Sequence, residues 1–87
     1  MYKIIDFYAD WCGPCKMMGP VFEELSKEMT QHKFEKVNVE ENSELATKNQ
    51  VQGIPCIIVY KDDKEVDRIT GFKEKDELKK EIEKLTT

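Results

Sequence analysis

The 87-residue chain is 39% hydrophobic and 37% charged, which gives room for one small domain, 1–87, held together by close packing of a modest core. A net charge of −4 without a basic cluster argues against nucleic-acid binding; no apolar run approaches a membrane span, and the N-terminus lacks a secretion signal. Three cysteines, an odd number, do not make a secreted disulfide framework, so a reducing cytoplasm is the expected compartment.

Tyr2 to Tyr8 reads as a strand. Ile4, Ile5, Phe7 and Tyr8 are bulky, with little polar alternation, as in a central strand covered on both faces. Asp6 interrupts that run, and its neighbours argue for burial and a functional role over an acid at a polar edge. Residues 13 to about 31 predict a helix, with Met18, Phe22, Leu25 and Met29 on one side and Lys16, Glu23, Glu24, Lys27 and Glu28 on the other. Pro20 lies inside it and predicts a kink, having no N–H for the bond to residue 16. His32 sits among polar residues and reads as a surface side chain.

Phe34 to Val39 alternates as a second strand, and a strand, helix and strand joined this way run parallel with a right-handed crossover. Asn42 or Ser43 caps a short helix through about Asn49. Gly53-Ile54-Pro55 leads into a buried strand, Cys56 to Tyr60; Asp62-Asp63-Lys64 turns, and Glu65 to Thr70 returns as a hairpin. Gly71 follows where a side chain is expected to obstruct a groove. Residues 74 to 85 close the chain as a helix with Leu78, Ile82 and Leu85 inward. The order β-α-β-α-β-β-α is an α/β pattern.

Between the first strand and first helix stands Trp11-Cys12-Gly13-Pro14-Cys15. A CxxC pair can be a zinc half-site, a staple or a redox couple. Zinc wants four ligands, and Cys56 and His32 are not suitably spaced; a staple across so short a loop constrains little. The redox reading explains more of the surroundings. Cys12 at a helix N-terminus faces unpaired N–H groups and the positive dipole end, which favour the thiolate, the attacking species. Cys15, one turn on, can reach a mixed disulfide on Cys12. Gly13 lets the backbone turn, and Pro14 costs no helical bond in the first turn.

The segment Asp6-Phe7-Tyr8-Ala9-Asp10-Trp11-Cys12-Gly13-Pro14-Cys15-Lys16 resembles the active-site segment of the thioredoxins. The likeness continues through Lys36-Val37-Asn38-Val39, Val51-Gln52-Gly53-Ile54-Pro55 and Arg68-Ile69-Thr70-Gly71. It implies a thioredoxin-like three-layer sandwich with a four-stranded mixed sheet in the order 2-1-3-4 and a cis Ile54–Pro55 bond. It implies protein disulfide reduction by the Cys12/Cys15 couple, with Asp6 and Lys36 assisting, and substrate contacts from Trp11, Gly13, Pro14, Gly53, Ile54, Pro55 and Gly71. It also implies no bound cofactor or metal, electrons from a reductase partner such as thioredoxin reductase, and disulfide-containing protein substrates. Thioredoxins carry a further strand and helix ahead of the segment matched at Tyr2, so the Phe34–Val39 strand is expected at an open edge. The charges Glu35 and Lys36, which discourage pairing along that strand, predict a monomer in dilute solution with weak self-association at high concentration. Cys56 departs from the Ile-Pro-Thr expected there. Strand alternation turns it away from the CxxC pair, which favours a packing role over a regulatory thiol. A glutathione-using, glutaredoxin-like enzyme and a non-catalytic interaction module are the competing readings.

Overall fold

The computed structural model describes residues 1–87. Its elements are β1 (Tyr2–Tyr8), α1 (Gly13–Glu28), β2 (Lys33–Asn38), α2 (Ser43–Lys48), β3 (Cys56–Lys61), β4 (Lys64–Thr70) and α3 (Lys75–Leu85). The strands form one mixed sheet in the order β2-β1-β3-β4. β1 is parallel to β2 and antiparallel to β3, and β3 and β4 form the hairpin. This is the order implied by the resemblance, and β2 lies at an edge.

The two faces of the sheet are filled differently. Ile4, Ile57, Val59 and Ile69 project to one face, where Met18, Phe22 and Leu25 of α1 and Leu78 and Ile82 of α3 cover them. Ile5, Phe7, Val37, Cys56 and Ile58 project to the other and form a smaller cluster. Val51 packs on that second face just beyond α2, and the Tyr60 hydroxyl meets the Asn49 side chain there. Burial on both sides is why β1 reads as a run of bulky residues without polar alternation.

Several boundaries differ from the sequence expectation. α1 ends at Glu28, and Met29 is its C-cap residue, whose N–H donates to Leu25 O while its side chain stays buried. The apolar spacing continues one residue beyond the helical backbone, which is what carried the expected helix to about residue 31. Pro20 lies inside α1. Asn42 occupies the N-cap position of α2 but makes no side-chain cap bond. The side chain that organises this loop is Asn38, whose Oδ1 accepts N–H bonds from Glu40 at 2.9 Å and Glu41 at 3.3 Å. His32 is half-buried, with its ring edge-on to Tyr2 at 5.4 Å and burial lowering its pKa, so it is not the plain surface residue expected. The hairpin loop is Asp62-Asp63, both with positive φ (53° and 67°), between the paired Lys61 and Lys64. Two left-handed residues let the turn follow the twist of its strands.

Candidate active site

The site lies where β1 ends and α1 begins. Cys12 is the N-cap residue of α1, in extended conformation, and its Sγ accepts the backbone N–H of Cys15 at 3.2 Å. A cap residue normally satisfies an orphan first-turn N–H with a side-chain oxygen. Here a sulfur does so, which places it against the positive end of the helix, where a thiolate is favoured. Pro14 falls in the first turn and removes no helical bond there.

Cys12 and Cys15 are bonded as a disulfide, with Cα atoms 5.2 Å apart, within the range such a bond spans. Both cysteines are 5% exposed and pack with Ala9, flanked by Tyr8, Val39 and Ile54. Equal burial does not distinguish the two thiols; their positions on the helix do. Trp11, which precedes Cys12, is 68% exposed beside this buried pair. Gly13 has no positive φ, and a Cβ there would meet nothing within 4 Å. The turn therefore does not require glycine, contrary to the sequence reading; its bare Cα leaves open surface next to Cys12.

The loop between α2 and β3 supplies the opposing wall. Ile54–Pro55 is cis, and the Ile54 carbonyl oxygen lies 3.9 Å from Cys12 Sγ. Pro55 O in turn accepts the Gly71 N–H at 2.9 Å. Gly71 has φ +95°, the left-handed region that favours glycine, and a Cβ there would meet nothing within 4 Å. Crowding occurs instead at Gly53, where a Cβ would stand 3.3 Å from Thr70 Cγ2.

Asp6 is 1% exposed, and neither carboxylate oxygen has a hydrogen-bond partner. Alternation along β1 places it on the same face as Ile4, under α1. Burial raises its pKa from 3.8 to about 6, and the positive charge of Lys36 partly opposes this. Lys36 is its register partner on β2, yet the ammonium does not sit on the carboxylate. It lies 3.6 Å from Glu23 and 5.0 Å from the centre of the Tyr8 ring. Lys36, Tyr8 and Glu23 line one cleft together with Ala9, Asp10 and Cys15.

Glu23 and Tyr8 were not singled out from the sequence. Cys15, Gly19 and Glu23 recur every four residues and so share a helix face, which was the available signal for Glu23. For Tyr8 the signal was its i+2 relation to Asp6. Cys56 is a free, buried thiol in the cluster on the opposite face of the sheet, with its pKa raised by burial. It does not join the Cys12/Cys15 cluster.

Comparison with known proteins agrees with this geometry. The thioredoxin family model matches residues 2–84. A thioredoxin of Chlamydia caviae is 48% identical over 75 residues, covering 86% of this chain and 74% of its own. One from Mycoplasmoides gallisepticum is 42% identical over 76 residues, covering 87% and 76%. Among solved structures, a Plasmodium falciparum thioredoxin superposes with a TM-score of 0.90 at 43% identity, over 95% of this chain and 80% of that one. A Fasciola hepatica thioredoxin gives 0.91 at 39% identity, over 98% and 81%. With a bonded cysteine pair capping α1 and the family matched along nearly its whole length, the chain belongs to the thioredoxin family and is a thiol–disulfide oxidoreductase.

Proposed function

We propose that residues 1–87 act as one domain that reduces disulfides in proteins, with Cys12 as nucleophile and Cys15 as the resolving thiol. The observation that carries this reading is the Cys15 N–H bond to Cys12 Sγ at the start of α1, which favours negative charge on that sulfur. In the dithiol form the Cys12 thiolate attacks one sulfur of the substrate disulfide. A Cys12–substrate bond forms, and the other substrate sulfur leaves as a thiolate. Cys15 then gives up its proton, with the Asp6 carboxylate as the proposed acceptor, and its sulfur attacks Cys12. The Cys12–Cys15 bond forms, the second substrate sulfur departs, and two electrons have passed to the substrate.

A pKa of about 6 suits Asp6 for this task, being ionised near neutrality yet basic enough to take a proton. Lys36 is proposed to tune that carboxyl from across the cleft. Trp11, Gly13, Pro14, Gly53, Ile54, Pro55 and Gly71 are proposed as the substrate-contacting surface, supported by the exposure of Trp11 beside Cys12 and by the Ile54 carbonyl 3.9 Å from Cys12 Sγ. The enzyme binds no cofactor in this scheme. Thioredoxin reductase returns the two electrons in a reducing, cytoplasmic setting, and the protein works as a monomer in dilute solution.

Insulin reduction followed by turbidity tests this proposal, with thioredoxin reductase and NADPH in one arm and glutathione in the other. Turnover with the reductase and little with glutathione is expected. Efficient turnover with glutathione alone would favour a glutaredoxin-type enzyme, and none in either arm would favour a non-catalytic module.

A further inference from the structure

The segment that carries Ile54 and Pro55 to the cysteines has its backbone hydrogen bonds only at its ends. Gln52, Gly53 and Ile54 neither donate nor accept a backbone–backbone hydrogen bond within the chain. At the far end the Gly71 N–H holds Pro55 O. At the near end the holding group is a side chain, Arg68 of β4. Its Nη2 donates to Asn49 O at 2.9 Å and its Nη1 to Gln50 O at 3.1 Å. The same guanidinium is fixed from behind by Glu65, which accepts from Nε at 2.7 Å and from Nη2 at 2.6 Å.

The backbone gripped in this way is conformationally demanding. Gln50 has φ +55°, the left-handed region that a side chain with a Cβ enters reluctantly. It is the residue that ends α2: Gln50 N–H donates to Thr47 O and Val51 N–H to Ala46 O, a helix stop that most often uses glycine. A non-glycine residue keeps such a conformation when its surroundings over-determine it. Arg68 bonds the carbonyls on both sides of that left-handed peptide and so sets the direction in which the chain leaves for Ile54. β4 and the residue after it therefore clamp the segment twice, through Arg68 at its start and Gly71 at its end.

We propose that Arg68, oriented by Glu65, is a positioning residue that fixes the Gln50–Pro55 segment for binding of extended protein substrates. The inference rests on the proposed reading of Gly53, Ile54 and Pro55 as substrate-contacting. Lysine at this position retains the charge, but one ammonium cannot span the carboxylate fork and two carbonyls as a planar guanidinium does. Loss of the clamp loosens the wall that an extended substrate seats against and leaves the cysteines and Asp6 in place. The effect should appear in KM for a folded or extended protein disulfide and not in the attack on a small disulfide.

The test compares wild type, Arg68→Lys and Glu65→Gln on two substrates, insulin and the small aromatic disulfide DTNB. For Arg68→Lys the KM for insulin is expected to rise about 5- to 10-fold, the effect of one or two lost hydrogen bonds. Its kcat for insulin and its rate with DTNB should stay within about 2-fold of wild type on that same scale. Glu65→Gln should move KM in the same direction by less, and hydrogen exchange of the Val51 amide, which donates to Ala46 O, should quicken in both variants. An unchanged insulin KM, or an equal loss with both substrates, would overturn the proposal. Should Arg68→Lys fail to fold, Glu65→Gln alone decides by the same criteria. Inactivity of the wild type toward insulin would instead count against the proposed function.

Discussion

Asp6→Asn isolates the free energy of burying a carboxylate without a hydrogen-bond partner. The native group has its pKa raised from 3.8 to about 6 by burial, with Lys36 partly opposing the rise. Below about pH 3.8 the acid is neutral in both folded and unfolded chains and adds no pH-dependent cost. As pH climbs toward 6 the unfolded chain releases a proton that the folded chain retains, so stability falls. Above about 6 both are ionised and the cost is constant at about 3 kcal/mol. Asparagine cannot ionise, so the stability of the variant relative to wild type should grow by about 3 kcal/mol between pH 3.5 and pH 7. Urea unfolding of the oxidised proteins across that range is the assay, and a relative shift of about 1–3 M in midpoint corresponds to this energy. The variant should also release substrate more slowly, by on the order of 100-fold, having lost the proton acceptor for Cys15. A stability difference that does not change between pH 3.5 and 7 would refute the reasoning.

Two other outcomes follow from the same site. Lys36→Met removes the one positive charge that lowers the Asp6 pKa, so a carbon NMR titration of that carboxyl should give a midpoint above about 6. An unchanged or lower midpoint would show that Lys36, held by Glu23, does not act on Asp6. Cys56 is 2% exposed with its pKa raised by burial, so the oxidised native protein should react with a thiol reagent on the order of 100-fold more slowly than the unfolded chain. Rapid labelling in native buffer would contradict this.

Local chemistry made the elements legible, and contact geometry was legible only in part. The bulky run of β1 announced a strand buried on both faces, and the acid interrupting that run announced the buried Asp6. Alternation from Pro55 was enough to turn Cys56 away from the active pair. The sheet order and the cis Ile54–Pro55 bond came from family resemblance, because neither periodicity nor spacing encodes them. What sequence could not give was the choice among nearby partners. Lys36 stands opposite Asp6 in register, but its long stem carries the ammonium to Glu23 and over Tyr8. Spacing likewise shows that a side chain is absent and not why: Gly71 has a positive φ, whereas a Cβ at Gly53 would crowd Thr70.

The division of labour between the two cysteines is tested most directly by the Cys15→Ser variant. Incubated with a disulfide-bonded protein substrate and analysed by mass spectrometry without reductant, it should accumulate a covalent adduct through Cys12. The resolving thiol is absent, so the mixed disulfide cannot collapse, and Cys12→Ser should form no adduct and show no turnover. An adduct carried by Cys56, or reduction of substrate by Cys12→Ser, would contradict the assignment of Cys12 as the attacking sulfur.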